Sequence, residues 1–193
     1  RISTCKEFEN LIKGKRVCLC GPSVSNVGSN LGELIDSYDI VCRVNMHLPF
    51  EDKCDFGSRT DIMLLGGWPV FDGNLRKDLL KFNDPSSRYY SLMKDTKLIY
   101  FIDPIRDEKY RSCPYKDSDQ CRHKSWDQFV DSFNNKKDII SYDVTDLFIN
   151  DECRNYMKKF MNLNKDFNKS VVNSGINSLI AILKHEPKEL FIT

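Results

Sequence analysis

The run Arg16-Val17-Cys18-Leu19-Cys20 is apolar almost throughout and stops at Gly21-Pro22-Ser23. A short continuous apolar run bounded by turn residues is the pattern of a strand buried on both faces, and such strands belong to parallel sheets covered by helices. After the turn, Val24 to Asn30 is small and polar, Leu31, Leu34 and Ile35 follow helical spacing, and Tyr38 to Asn45 reads as a second strand ending on polar side chains. Strand, glycine turn, helix and strand within about 30 residues make a βαβ unit, whose crossover is right-handed and whose ligand crevice lies outside the carboxyl ends of the strands. Ser23 and Asn45 are expected to meet at that edge.

The alternation continues. Asp61 to Leu65, Lys97 to Ile102, Ile139 to Tyr142 and Glu189 to Thr193 are further strand candidates. Helical periodicity marks Phe8 to Leu11, Leu75 to Phe82, Trp126 to Phe133 and Asp151 to Met161, and Ile176, Leu179, Ile180 and Leu183 mark one more helix. The expected architecture is α/β, a single Rossmann-like domain over residues 1–193 with a mostly parallel sheet and a polar insertion around residues 106–135. A length of 193 residues suits one hydrophobic core. With 29 Lys+Arg against 28 Asp+Glu, a formal charge of +1, and 12 Phe and 8 Tyr, neither bulk disorder nor a basic nucleic-acid coat is expected. No apolar run reaches the roughly 18 residues of a membrane span, so none is expected in this chain.

Two turns of small polar residues precede predicted helices. One holds Gly21, Ser23, Ser25 and Asn26, the other Asn173, Ser174 and Gly175. Helix N-termini present free N–H groups and a partial positive charge, and small side chains let a phosphate or ribose approach the backbone. The same residues also suit plain caps and tight turns. Neither turn carries the Gly-x-Gly-x-x-Gly dinucleotide fingerprint or the lysine-bearing phosphate loop, which disfavours ordinary NAD or ATP enzymes.

Cys18 and Cys20 read as small buried hydrophobes rather than ligands or a cross-link. His123 with Cys113 and Cys121 lacks the paired spacing of a zinc site, so no metal is expected. His185, at a helix end, reads as a solvated cap. His47 follows Asn45 near the crevice edge and is the candidate general base, the alternative being a loop or packing residue. Asp36 and Asp39 read as caps or turn formers, with Arg43 and Arg59 free to pair with them or with a ligand carboxylate.

The stretch from Cys20-Gly21-Pro22-Ser23 through Gly28 and Gly32 to Ile35-Asp36-Ser37-Tyr38-Asp39-Ile40-Val41-Cys42-Arg43-Val44-Asn45, closed by Asp55-Phe56-Gly57-Ser58-Arg59-Thr60, resembles the long sialyl motif of glycosyltransferase family 29. Val172-Asn173-Ser174-Gly175-Ile176-Asn177-Ser178-Leu179 looks like its short sialyl motif. The resemblance implies a Rossmann-like, GT-A-variant domain that binds the CMP part of CMP-sialic acid or a related CMP-sugar. It implies metal-independent, inverting transfer of an acidic sugar to a glycan acceptor, with no further cofactor. Carried over by position, Ser23 and its turn would hold phosphate or ribose, Asn45 would contact the nucleotide, and Ser174 and Gly175 would contact cytidine or its ribose.

The chain also departs from the family pattern. Pro22 replaces the Asn of the family's Gly-Asn-Ser turn, which shifts the expected phosphate contact to Asn26, and Val172-Asn173 replaces Pro-Ser. The short-motif cysteine of the family disulfide has no counterpart in Leu183-Lys184-His185-Glu186-Pro187. The expected compartment is therefore cytoplasmic, with the Golgi lumen as the alternative. The family's catalytic His lies beyond the short motif, where this chain has already ended, so the C-terminal part of the domain is expected to be missing. A catalytically inactive nucleotide- or glycan-binding module on the same fold is the alternative function, and an unrelated Rossmann-like enzyme with another nucleotide is a third.

Overall fold

A computed structural model describes residues 6–21, 26–45, 52–65, 86, 88–93, 95–101, 141–144 and 174–193. Among these are six strands, β1 (Arg16–Cys20), β2 (Ile40–Val44), β3 (Ile62–Leu65), β4 (Leu98–Phe101), β5 (Ser141–Val144) and β6 (Glu189–Ile192). They form one sheet in the order β5-β4-β3-β2-β1-β6. Every pairing is parallel. The α/β, Rossmann-like expectation holds, with a sheet that is wholly parallel over the described strands.

β1, β3 and β6 lie where the apolar runs place them, β2 and β4 are trimmed at both ends, and β5 overlaps its expected span. The helices predicted over residues 75–82, 126–133 and 151–161, and the insertion around residues 106–135, lie outside the described residues.

Strand order runs outward from β1 to β5 and then reverses, because β6 pairs on the other flank of β1. Crossovers of constant hand must then put their helices on opposite faces. The core shows this division. On one face Val17, Leu19, Ile40, Cys42, Val44, Ile62, Leu64, Leu98 and Tyr100 pack with Phe8 and Ile12 of α1 (Lys6–Ile12) and with Ala181 and Ile182 of the helix before β6. On the other, Cys18, Cys20 and Val41 pack with Tyr38 and with Ile35 of α2 (Gly32–Asp36). Phe8 stacks on Tyr100 with ring centroids 3.9 Å apart.

Two short helices have no apolar periodicity to announce them. In α3 (Lys53–Phe56) the Asp52 carboxylate caps the start, accepting from the N–H groups of Cys54 (3.0 Å) and Asp55 (3.3 Å). The other, α4 (Arg88–Met93), precedes β4.

The helix before β6, α5 (Ser174–Lys184), buries a different stripe from the expected one. Asn177, Ser178, Ala181 and Ile182 are buried, whereas Ile176 and Leu183 are exposed and Leu179 and Ile180 only partly covered. Small side chains on the buried stripe let the helix lie close over β2, and Ser178 Oγ donates to the Ser174 carbonyl at 2.7 Å, so its hydroxyl is satisfied locally.

Candidate functional site at the carboxyl edge of the sheet

Gly21 leaves the end of β1, and Cys20 is paired with Arg43 two residues before Asn45, so Gly21 and Asn45 emerge side by side. The Gly21 N–H donates to the Thr193 carbonyl (3.2 Å) and the Thr193 N–H to the Leu19 carbonyl (3.1 Å), which draws the ends of β1 and β6 together at the point where strand order reverses. A β-carbon on Gly21 would meet the Thr193 carbonyl at 3.4 Å. Asn45 turns the chain off β2 in a left-handed conformation, φ 52°, with its N–H donated to the Leu64 carbonyl at 2.9 Å. Asparagine tolerates that region better than other residues with a β-carbon.

The C-terminus of α5 is fixed at the opposite edge. There the Gly14 N–H donates to the Glu186 carbonyl, and His185 sits edge-on to Phe8, 5.3 Å between ring centroids. An 11-residue helix is about 16 Å long and a five-residue strand about 17 Å, so α5 traverses the sheet and brings Ser174 and Gly175 to the carboxyl edge. Both are partly exposed there.

Asn26 lies in the connection from β1 to α2. It is 6% exposed, its carbonyl accepts from the Ser29 N–H, and its Nδ2 has no hydrogen-bond acceptor among the described residues. The segment that follows is tied down by Asp55 of α3, whose carboxylate accepts from the N–H groups of Gly28 and Asn30. These bonds, that of Asn30 first, hold the Asp55 carboxyl below its ordinary range. Of the residues singled out from sequence, Gly21, Asn45, Ser174 and Gly175 are therefore at the carboxyl edge of the sheet, Asn26 lies in the β1–α2 connection, and Ser23, Ser25, His47 and Asn173 lie outside the described residues.

The charged residues of the 36–61 segment are occupied with one another. Asp36 accepts from Ser58 N–H, Ser58 Oγ and Arg59 N–H at 2.8–3.1 Å. Arg59 bridges the carbonyls of Asp36 (2.7 Å) and Tyr38 (2.9 Å) to the Asp61 carboxylate (2.8 Å). Asp39 accepts the Arg16 N–H at 2.9 Å. Arg43 is fully buried, its Nε donating to the Arg59 carbonyl (2.9 Å) and Thr60 Oγ1 (3.1 Å) and its Nη2 to the Phe56 carbonyl (2.6 Å). Both arginines are thus engaged in clamping the loop before β3.

His185 differs from its expected role as a solvated cap. It is partly buried against Phe8, and burial lowers its pKa below the ordinary 6.5, which favours the neutral ring. An open groove of about 490 Å³ runs between α2 and α3, lined by Gly32, Glu33, Asp36, Ser37, Lys53, Cys54 and Ser58, and none of the expected nucleotide-contact residues lines it. Among the described residues no group of three His, Cys, Asp or Glu could hold a metal ion, and no helix is long and apolar enough to cross a membrane.

What the fold and rim define is an α/β domain with a Rossmann-like parallel sheet. No protein-family model matches the chain, and no curated protein matches it.

Proposed function

We propose that the carboxyl edge binds a CMP-activated acidic sugar and that the domain is a sialyltransferase-like glycosyltransferase, transferring that sugar to a glycan acceptor with inversion and without a metal. The observation that carries this reading is the buried Asn26 amide in the connection from β1 to α2, whose Nδ2 lacks an acceptor among the described residues. A buried donor left unpaired costs about 1–3 kcal/mol, a cost that a ligand oxygen would relieve. The N-terminal turn of α5 at Ser174 and Gly175, at the positive end of the helix, suits a phosphate or ribose hydroxyl. In this reading Ser23, Ser25 and Asn173 complete the nucleotide contacts, and His47 is the local base for the acceptor hydroxyl.

The test is calorimetric titration with CMP. Saturable binding is expected, reduced about tenfold in Asn26→Ala, which corresponds to the loss of one hydrogen bond. Absence of saturable binding at millimolar CMP overturns the proposal, as does stronger binding of UDP, NAD or S-adenosylmethionine. A second reading, a catalytically inactive nucleotide- or glycan-binding module, is favoured by Pro22 at the position of the family's Asn. CMP binding without hydrolysis or transfer of CMP-sialic acid would select it.

A further inference from the structure

The β1–α2 connection takes its shape from a residue that lies outside it. Asp55, on α3, is buried, and the capping of its own helix falls to Asp52. The Asp55 carboxylate reaches back to the connection instead, accepting from the N–H groups of Gly28 and, at 2.8 Å, of Asn30. Gly28 and Asn30 both hold left-handed backbone, with φ of 77° and 55°. Left-handed residues within one turn aim neighbouring N–H groups into a concavity that suits an anion. Between them the Ser29 N–H donates to the Asn26 carbonyl at 3.0 Å, so a chain of contacts runs from the carboxylate through residues 28–30 to Asn26.

We infer that Asp55 is a positioning residue for ligand binding: its carboxylate holds residues 26–30 in the conformation that presents the Asn26 amide. The inference rests on the nucleotide reading, in which Asn26 is the ligand contact.

The conformation of the connection requires that carboxylate. N–H groups that converge on one point cost free energy unless an acceptor lies among them. An ionised carboxylate, with two oxygens and a full charge, is the strongest acceptor a side chain supplies. Asn30 carries a β-carbon, for which the left-handed region is unfavourable, and its bond to Asp55 offsets that cost. A carboxamide in the same place has a single acceptor oxygen. Asp55→Asn therefore satisfies one of the two N–H groups and sets a donor against the other.

Loss of the carboxylate leaves α3 itself anchored. The helix keeps its Asp52 cap, the Phe56 carbonyl keeps the Arg43 Nη2 donor at 2.6 Å, and Gly32 stays against the Lys53 and Cys54 carbonyls. What is released is the segment before Gly32, which carries Asn26. Because Asp55 acts through Asn26, its removal costs no more affinity than removal of the Asn26 amide, about tenfold. The two substitutions made together are then non-additive.

The test is a double-mutant cycle, with CMP titrated calorimetrically into the wild type, Asn26→Ala, Asp55→Asn and the double variant. Asp55→Asn is expected to lose affinity by about three- to tenfold, and the double variant to bind as Asn26→Ala does. Unchanged affinity in Asp55→Asn overturns the inference and leaves the nucleotide reading standing. So does a double variant weakened by the product of the two single losses, since that is the additive pattern of a merely structural effect. A wild type that fails to bind CMP overturns the nucleotide reading and this inference with it. A second measurement needs no variant to fold. Coupling is reciprocal, so saturating CMP should slow hydrogen exchange at the Gly28 and Asn30 amides of the wild type by about the factor that Asp55→Asn loses in affinity. Exchange at both amides unchanged by bound CMP would overturn the positioning role.

Discussion

Gly32 and Lys53 touch through their backbones, so closely that a β-carbon on Gly32 would lie 1.9 Å from the Lys53 carbonyl oxygen and 2.5 Å from that of Cys54. The start of α2 is thereby locked against α3, and through α3 against the Asp55 carboxylate that holds residues 28–30. Gly32→Ala puts a methyl group into backbone that has nowhere to retreat. A loss of about 3 kcal/mol or more is expected in urea denaturation. Gly14→Ala is the control, since it meets no atom within 4 Å and is strained only by its φ of +68°, a cost of about 1 kcal/mol.

Arg43→Met keeps an unbranched stem, shortens the side chain by two atoms and removes all three of its hydrogen bonds, leaving the carbonyls of Arg59 and Phe56 without that donor. The apolar replacement also removes a buried charge, which offsets part of the cost. A net loss of about 2–3 kcal/mol is expected, read as a lower denaturation midpoint with an unchanged slope. An equal or greater stability would mean that the guanidinium contributes nothing to the clamp on the 56–60 loop.

At Asn45 stability and binding can be separated. Asn45→Val forces a β-branched residue to adopt φ 52° and should cost about 1–2 kcal/mol. Asn45→Gly takes that conformation freely and is spared this backbone strain. On the nucleotide reading both variants lose affinity for CMP by the same factor. A glycine variant with full affinity would show that the side chain is not a ligand contact.

His185 supplies a pH signature. Its pKa in the folded chain lies below 6.5, chiefly because burial disfavours the imidazolium, against the attraction of Glu9. The unfolded chain therefore takes up a proton first, and the contribution of His185 is complete above about pH 6.5 and shrinks as pH falls toward the folded pKa. The stability difference between the wild type and His185→Gln should fall on going from pH 7.5 to about pH 5. A difference independent of pH would mean that the ring titrates alike in both states.

Strands β1, β3 and β6 were legible because apolar runs of four or five residues, cut by Gly, Pro or charge, are how a doubly covered strand is written. The turn residues of the rim were legible for a related reason, since a parallel sheet brings the ends of its strands and the starts of its helices to one edge. The helix α3 was not, because the Asp52 cap and the contact with Gly32 specify it, and neither imposes a 3.6-residue period. The buried stripe of α5 was misread because proximity to β2 selected Asn177, Ser178 and Ala181 over larger apolar neighbours. Strand periodicity already places Cys18 and Cys20 on one face, but the fully buried guanidinium beside them follows from strand pairing across the β1–α2–β2 crossover, which residue types alone do not reveal.

The pairing of β1 with β6 joins Arg16 to Glu189 across 173 positions of the chain. During synthesis β1 can acquire β2 as a neighbour early, but its second flank stays bare until residues 189–192 have left the ribosome. A nascent chain therefore carries an open, apolar strand margin from the emergence of β1 until β6 follows it, a hazard for association with other chains. Refolding should be slow, because the β1–β6 pairing joins residues 173 positions apart.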